Sequence, residues 1–308
     1  MKYATRINSF LRQKNTLLEA LDNIGRIEGV DYVDMNYPEH FTEYSHQEIK
    51  DSLKKNGLAL NMVNLRFRDE FICGAFDSLN KELRDKAVRM CKEAAEVSEE
   101  FHGNGIIIWL GYDGFDYSFQ KDYVQSWKWI VECFKEVCTS VNCKVSVEYK
   151  PYEERKFTMI DSWGAAWKLV NDVNCDNFGF TMDFCHMLMK KENPAYPIAL
   201  CLDAGKLFGV HLNDGEGSTD DGFIVGTVHP WKILEVFYYL TKYNYSNVVY
   251  FDTFPIREND VRECEMNVRM CHNFEKMIEK AGIERIDEIV ASGDGTKAAE
   301  LMAELLKQ

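Results

Sequence analysis

The chain has 308 residues, with 50 acidic against 36 basic side chains and a net charge of −14, a balance that repels a phosphate backbone and leaves nucleic-acid binding without an electrostatic basis. Its 46% hydrophobic and 28% charged residues are those of a globular protein, and no apolar run approaches the roughly 18 residues of a membrane span. The opening MKYATRINSF lacks the basic start, apolar stretch and cleavage site of a secretion signal. The ten cysteines are scattered without a C-x-x-C pair, so reduced thiols in a cytoplasmic protein are expected.

Eight β-rich runs recur along the chain: residues 4–10 (ATRINSF), 30–36 (VDYVDMN), 58–65 (LALNMVNL), 105–111 (GIIIWLG), 144–149 (KVSVEY), 178–184 (FGFTMDF), 206–214 (KLFGVHLND) and 247–254 (NVVYFDTF). Between them lie runs such as NTLLEALDNI and YVQSWKWIVECFKEVC, with apolar residues at three- and four-residue steps. Eight strands alternating with helices predict a single (β/α)8 TIM barrel over residues 1–308. A doubly wound open sheet fits less well. No Gly-x-Gly-x-x-Gly follows the first strand, so no nucleotide cofactor is expected. Residues 283–308 come after the eighth unit and read as an extra helical segment, split at SGDG.

In such a barrel, chemistry gathers where strands end at the C-terminal mouth. Four consecutive strand ends carry Glu148, Asp183, His211 and Asp252. Each alone has an ordinary reading, a helix cap for the aspartates or a satisfied core histidine for His211. Together, three carboxylates and an imidazole at one mouth would repel one another without a cation between them. Oxygen donors with one nitrogen suit a divalent ion, Mn²⁺ first, with Co²⁺, Mg²⁺ or Zn²⁺ as alternatives.

The segments EYKP, FTMDFCHMLMKKENPAYPIAL, GKLFGVHLNDGEGSTDDGFIVGTVHPWKILE and YFDTFPIREND resemble the xylose-isomerase-like TIM-barrel superfamily of sugar isomerases, ketose 3-epimerases and endonuclease-IV-like proteins. The resemblance implies that Glu148, Asp183, His211 and Asp252 are the metal ligands. It sets Asp252 apart from the longer Glu that 3-epimerases use as a base there, and likens it to the Asp of L-rhamnose isomerases. Glu148 and Lys150 match the Glu-x-Lys of aldose–ketose isomerases, in which the lysine polarises a substrate oxygen; a surface lysine beside Tyr149 is the ordinary alternative. His186, three residues after Asp183, together with Asp220 and Asp221, would hold a second metal or a substrate hydroxyl, unless GSTDDG is only a solvated turn. Trp109 and Tyr112 would wall the site against sugar C–H faces, or belong to the core. His102 and His229 have no assigned partner.

The expected catalytic set is thus Glu148, Lys150, His186 and Asp252, and the expected reaction is metal-dependent isomerisation or epimerisation of a sugar by proton or hydride transfer next to its carbonyl. Two alternatives stay open. One is the α subunit of a C-glycoside deglycosidase, a carbon–carbon lyase that eliminates the aglycone from a 3-oxo-glycoside with a small β-sandwich partner subunit. The other is a non-catalytic, metal-stabilised sugar-binding protein. A homo-oligomer is expected.

Overall fold

The computed structural model describes residues 1–12 and 14–307. Eight parallel strands close into a barrel: β1 (Lys2–Arg6), β2 (Tyr32–Tyr37), β3 (Ala59–Arg66), β4 (Gly105–Trp109), β5 (Lys144–Glu148), β6 (Phe178–Asp183), β7 (Leu207–Leu212) and β8 (Val248–Phe251), with β8 pairing back onto β1. Their β-branched and aromatic residues are buried almost without interruption, as expected of strands covered on both faces. Long helices follow the strands, among them α1 (Leu17–Ile24), α2 (His46–Lys55), α3 (Lys81–Glu100) and α4 (Tyr123–Ser140). Capping boxes from Thr16 to Glu19 and from Ser45 to Glu48 start α1 and α2.

The first strand ends earlier than the alternation in ATRINSF suggests. Strand β1 stops at Arg6, and Ile7–Leu11 coils into one helical turn. Ile7 and Phe10 are three apart and both buried, which is a helical spacing, and the Ser9 hydroxyl donates to the carbonyl of Thr253 at 2.8 Å. Strand-like alternation over so few residues does not separate the two periods.

Register positions the mouth. Trp109 lies beside Glu148, Asp183 beside His211, and His211 beside Tyr250. Because alternate residues share a face, these inward positions fall at the same end of neighbouring strands. Two helices, Ile283–Ser292 and Gly295–Leu305, occupy the C-terminal segment and break at Gly293, whose φ of +62° suits a residue without Cβ. Among the ten cysteines only Cys73 is exposed, and none is paired. No helix among the described residues is long and apolar enough to cross a membrane.

Candidate active site

Glu148, Asp183, His211 and Asp252 each bring one donor atom into a group whose atoms lie within 4.8 Å of one another. Asp183 is pinned from several sides. Its Oδ1 accepts the backbone N–H of His186, capping the turn Phe184–Met189, and Asn213 Nδ2 donates to both its oxygens at 3.3 and 3.1 Å. The ordinary cap reading and the ligand reading therefore apply to the same side chain. Asp252, at the edge of the group, faces the Arg6 guanidinium at 3.4 Å.

The electrostatics are those of crowded carboxylates short of positive charge. Burial raises Asp183 to about 7 against the pull of His186, and burial likewise raises Asp252 against Arg6. Burial would also raise Glu148, but His211 and His186, with nitrogens 3.4 and 3.5 Å from its Oε1, outweigh it and hold it below the usual carboxylate range. In return, burial alone would lower His211, yet the charge of Glu148 carries it up to about 10. Neither ring nitrogen of His211 has a hydrogen-bond partner, although both are buried. Orphaned imidazole nitrogens facing carboxylates that draw protons inward fit a divalent cation. The four residues could hold one.

A second acidic group, Asp183, His186 and Asp220, stands beside the first. Here Asp220 Oδ2 already serves two partners, Lys150 Nζ at 3.0 Å and His186 Nε2 at 3.3 Å. Burial would raise Asp220, but the charges of His186 and Lys150 hold it far below the carboxylate range; burial would lower His186, but Asp183 and Asp220 lift it to about 9. An ammonium thus neutralises the site where a second ion would sit.

Lys150 is buried, not a surface lysine: its Nζ bridges Asp220 and Glu153, the latter at 2.5 Å, and lies 5.8 Å above the Trp109 ring. Trp109 lines the same cavity of about 200 Å³ as Glu148, Lys150, His186, His211 and Asp252. A Cβ on Gly111 would come within 2.4 Å of the Trp109 ring, so this glycine is what lets the indole fold back over the mouth.

Two residues expected at the substrate stand elsewhere. Tyr112 is outside the cavity lining, stacked under the Arg155 guanidinium at 5.7 Å and placed beside Glu154. Asp221 accepts from the Glu216 N–H and bonds the Thr219 hydroxyl, which closes its own loop. His229, without a partner in the sequence, meets Asp214 Oδ1 through Nδ1 at 2.9 Å; His102 is exposed.

A family model described as xylose isomerase-like TIM barrel matches residues 19–268. The chain belongs to that family. Xylose isomerase of Thermus thermophilus is 27% identical over 183 residues, covering 57% of this chain and 47% of its own. The chain thus spans about half the length of the curated relatives it matches. Among solved structures, a D-tagatose 3-epimerase-like protein superimposes with a TM-score of 0.74 at 16% identity, over 91% of this chain and 99% of the other. The 3-keto-D-glucoside 4-epimerase of E. coli superimposes with a TM-score of 0.67 at 18% identity, over 90% and 99%. These likenesses carry the xylose isomerase-like fold.

Several cavity residues of this family member were not singled out in the sequence: Arg6 on β1, Asn36 on β2, Asn64 and Arg66 on β3, and Tyr250 on β8, whose ring lies 4.5 Å from that of His211. Asp34, deeper in β2, is raised by burial to about 7 and keeps one oxygen unpartnered. All sit at inward positions, as the barrel register shows: Arg6 pairs with Asp34, Asn36 with Asn64, Arg66 with Trp109 and Tyr250 with His211.

Proposed function

We propose that the protein is a divalent-metal-dependent sugar isomerase or epimerase, with Mn²⁺ the best match to a site of three carboxylates and one imidazole. The observation that carries the reading is the meeting of Glu148, Asp183, His211 and Asp252 within 4.8 Å, with both His211 nitrogens orphaned. Held by Glu148, Asp183, His211 and Asp252, a divalent ion would supply Lewis-acid polarisation of a carbonyl and its neighbouring hydroxyl. The buried ammonium of Lys150 lines the same cavity and, held by Glu153 and Asp220, offers its remaining N–H to the oxygen that gains electron density. Asp183, held by Asn213 and the Phe184–Met189 turn, stays in place. Glu148 and Asp252 come from β5 and β8 and take and return the proton on the carbon beside the carbonyl. His186, raised toward protonation and anchored through Nε2 to Asp220, offers its unpartnered Nδ1 to a substrate oxygen. Trp109 excludes water along one wall.

Incubation with Mn²⁺ and a panel of free aldoses and ketoses in D₂O tests this. Deuterium should enter at the carbon next to the carbonyl as the paired sugar appears if a proton is moved, and no deuterium should enter if a hydride is; metal-loaded protein that interconverts no sugar in the panel overturns the reading.

A second reading has its own support. Tyr117, Phe119 and Phe157 are exposed on the loops after β4 and β5, where Phe115 stacks on Phe157 at 5.2 Å. Such a rim suits a flat aglycone or a partner protein, and one structural neighbour is named for a 3-keto-glucoside. The same proton abstraction beside a ketone would then break the bond from the anomeric carbon to the aglycone, leaving a double bond in the sugar, and the abstracted proton would be returned to the departing aglycone. Aglycone release from a 3-oxo-C-glycoside that requires a second small protein, with every free sugar unchanged, puts this reading first.

A further inference from the structure

The half of the mouth facing the acidic group carries two buried polar atoms without a partner, Asn64 Oδ1 and Arg66 Nε. Both belong to β3, two residues apart and therefore on one face of the strand, and both residues line the cavity that holds Glu148 and His211. An acceptor and a donor left open on one wall need a group that both gives and takes a hydrogen bond. A hydroxyl does so. A carboxylate or phosphate offers acceptors only, and would leave Asn64 Oδ1 facing negative charge.

The charges on this wall point the same way. Arg66 Nη2 already meets Glu39 Oε2 at 2.8 Å, and Arg6 faces Asp252 at 3.4 Å. Those guanidinium charges are matched within the protein, and what remains is hydrogen-bonding capacity. Arg68 stands at the exposed rim, where water and salt screen it. The cavity of about 200 Å³ is below the roughly 300–1,000 Å³ of sites for drug-sized ligands, which suits a molecule the size of a single sugar.

We infer that Asn64 and Arg66 are specificity-determining residues that bind a neutral hydroxyl at the end of the substrate away from the reacting carbons, so that the site selects uncharged sugars over sugar acids and sugar phosphates. This rests on the sugar-binding reading of the cavity. A site built to bond a hydroxyl rejects an analogue that lacks it, because its own buried groups are left unpaired.

Calorimetry on the Mn²⁺-loaded protein tests it with free ketohexoses, their 5-deoxy and 6-deoxy analogues, the matching hexuronates and the 6-phosphates, alongside turnover. The wild type should bind the parent sugar at least tenfold more tightly than one of the two deoxy analogues, and more tightly than either charged analogue. Asn64→Leu should erase the deoxy discrimination. Arg66→Lys, which keeps the charge and loses Nε, should weaken it by a similar factor while metal content is unchanged. Equal binding of parent and both deoxy sugars, tighter binding of a uronate or phosphate, or no binding of any sugar overturns the inference. Discrimination without turnover of any sugar would sink the catalytic reading alone.

Discussion

The two arcs of the barrel mouth solve the problem of buried charge in opposite ways. Strands β5–β8 bring carboxylates and imidazoles together with too few internal partners: Asp183 is pushed up to about 7 and His211 up to about 10. Strands β1–β3 bring guanidinium groups and amides that mostly satisfy one another: Arg66 meets Glu39, and Asn36 Nδ2 donates to Asn8 Oδ1 at 2.9 Å. The first arc stores unmet electrostatic demand, which an ion and a substrate oxygen can answer. The second is near neutrality and offers shape and hydrogen bonds. Under the proposed function, chemistry and selection would fall on different strands, joined where Arg6 of β1 faces Asp252 after β8.

The sharpest break is in the acidic arc. Glu148→Gln or His211→Ala should remove the bound metal and lower turnover by roughly a thousandfold or more, with an unchanged far-ultraviolet circular dichroism spectrum. Elemental analysis per chain decides it, since equal metal in wild type and both variants refutes the ligand assignment. Lys150→Met comes next. Turnover should fall by about two decades, on the order of 3 kcal/mol of transition-state stabilisation, while metal content holds. Wild-type kcat would leave Lys150 as a loop clamp only.

The other arc responds in stability. His40 follows β2, and its Nδ1 accepts the Asn36 backbone N–H at 3.0 Å, so it must stay neutral; burial lowers it from 6.5 to about 4. The unfolded chain takes up a proton near pH 6.5 that the folded chain refuses until about pH 4. The stability this neutral ring contributes is therefore complete above pH 6.5 and is lost as the pH falls through 4, up to about 3 kcal/mol. Urea unfolding midpoints across that window should fall in the wild type and fall less in His40→Gln; parallel curves would clear His40. The smallest effect is expected where the arcs meet. Gly111→Ala should displace the Trp109 ring at a cost of about 1–2 kcal/mol and raise KM, with kcat and metal content little changed; an unaltered KM would mean that the indole does not line the working site.

How much of this was legible depended on which arc carried the residue. Glu148, Asp183, His211 and Asp252 stand out in the sequence because acidic side chains and a histidine at the ends of apolar runs contradict their surroundings. The barrel follows from eight such runs in order. Asn64 and Arg66 close an otherwise apolar strand too, but amides and arginines at strand ends are common, and only the closed barrel shows that they face the cavity. Tyr112 and Asp221 mislead for the converse reason. Each is near in sequence to a residue that does point inward, and sequence proximity cannot separate Asp220 from Asp221 when a loop turn decides which carboxylate faces Lys150. The boundary of β1 was lost to a five-residue segment too short to show its period.

The clamp around Lys150 also governs motion. Lys150 and Glu153 belong to the segment after β5, and Asp220 to the one after β7. The ammonium joins Asp220 at 3.0 Å, Glu153 Oε1 accepts the Asp220 N–H at 3.0 Å, and the Tyr152 hydroxyl reaches the Ser218 carbonyl at 3.1 Å. These contacts bridge the same two segments, so neither can swing away while the other stays without losing all of them together. Separation of the two segments is therefore expected as one cooperative step. Amide protons at Glu153 and Asp220 should then exchange with solvent at a common rate, and that rate sets an upper limit on any exchange of ligand through this side of the mouth.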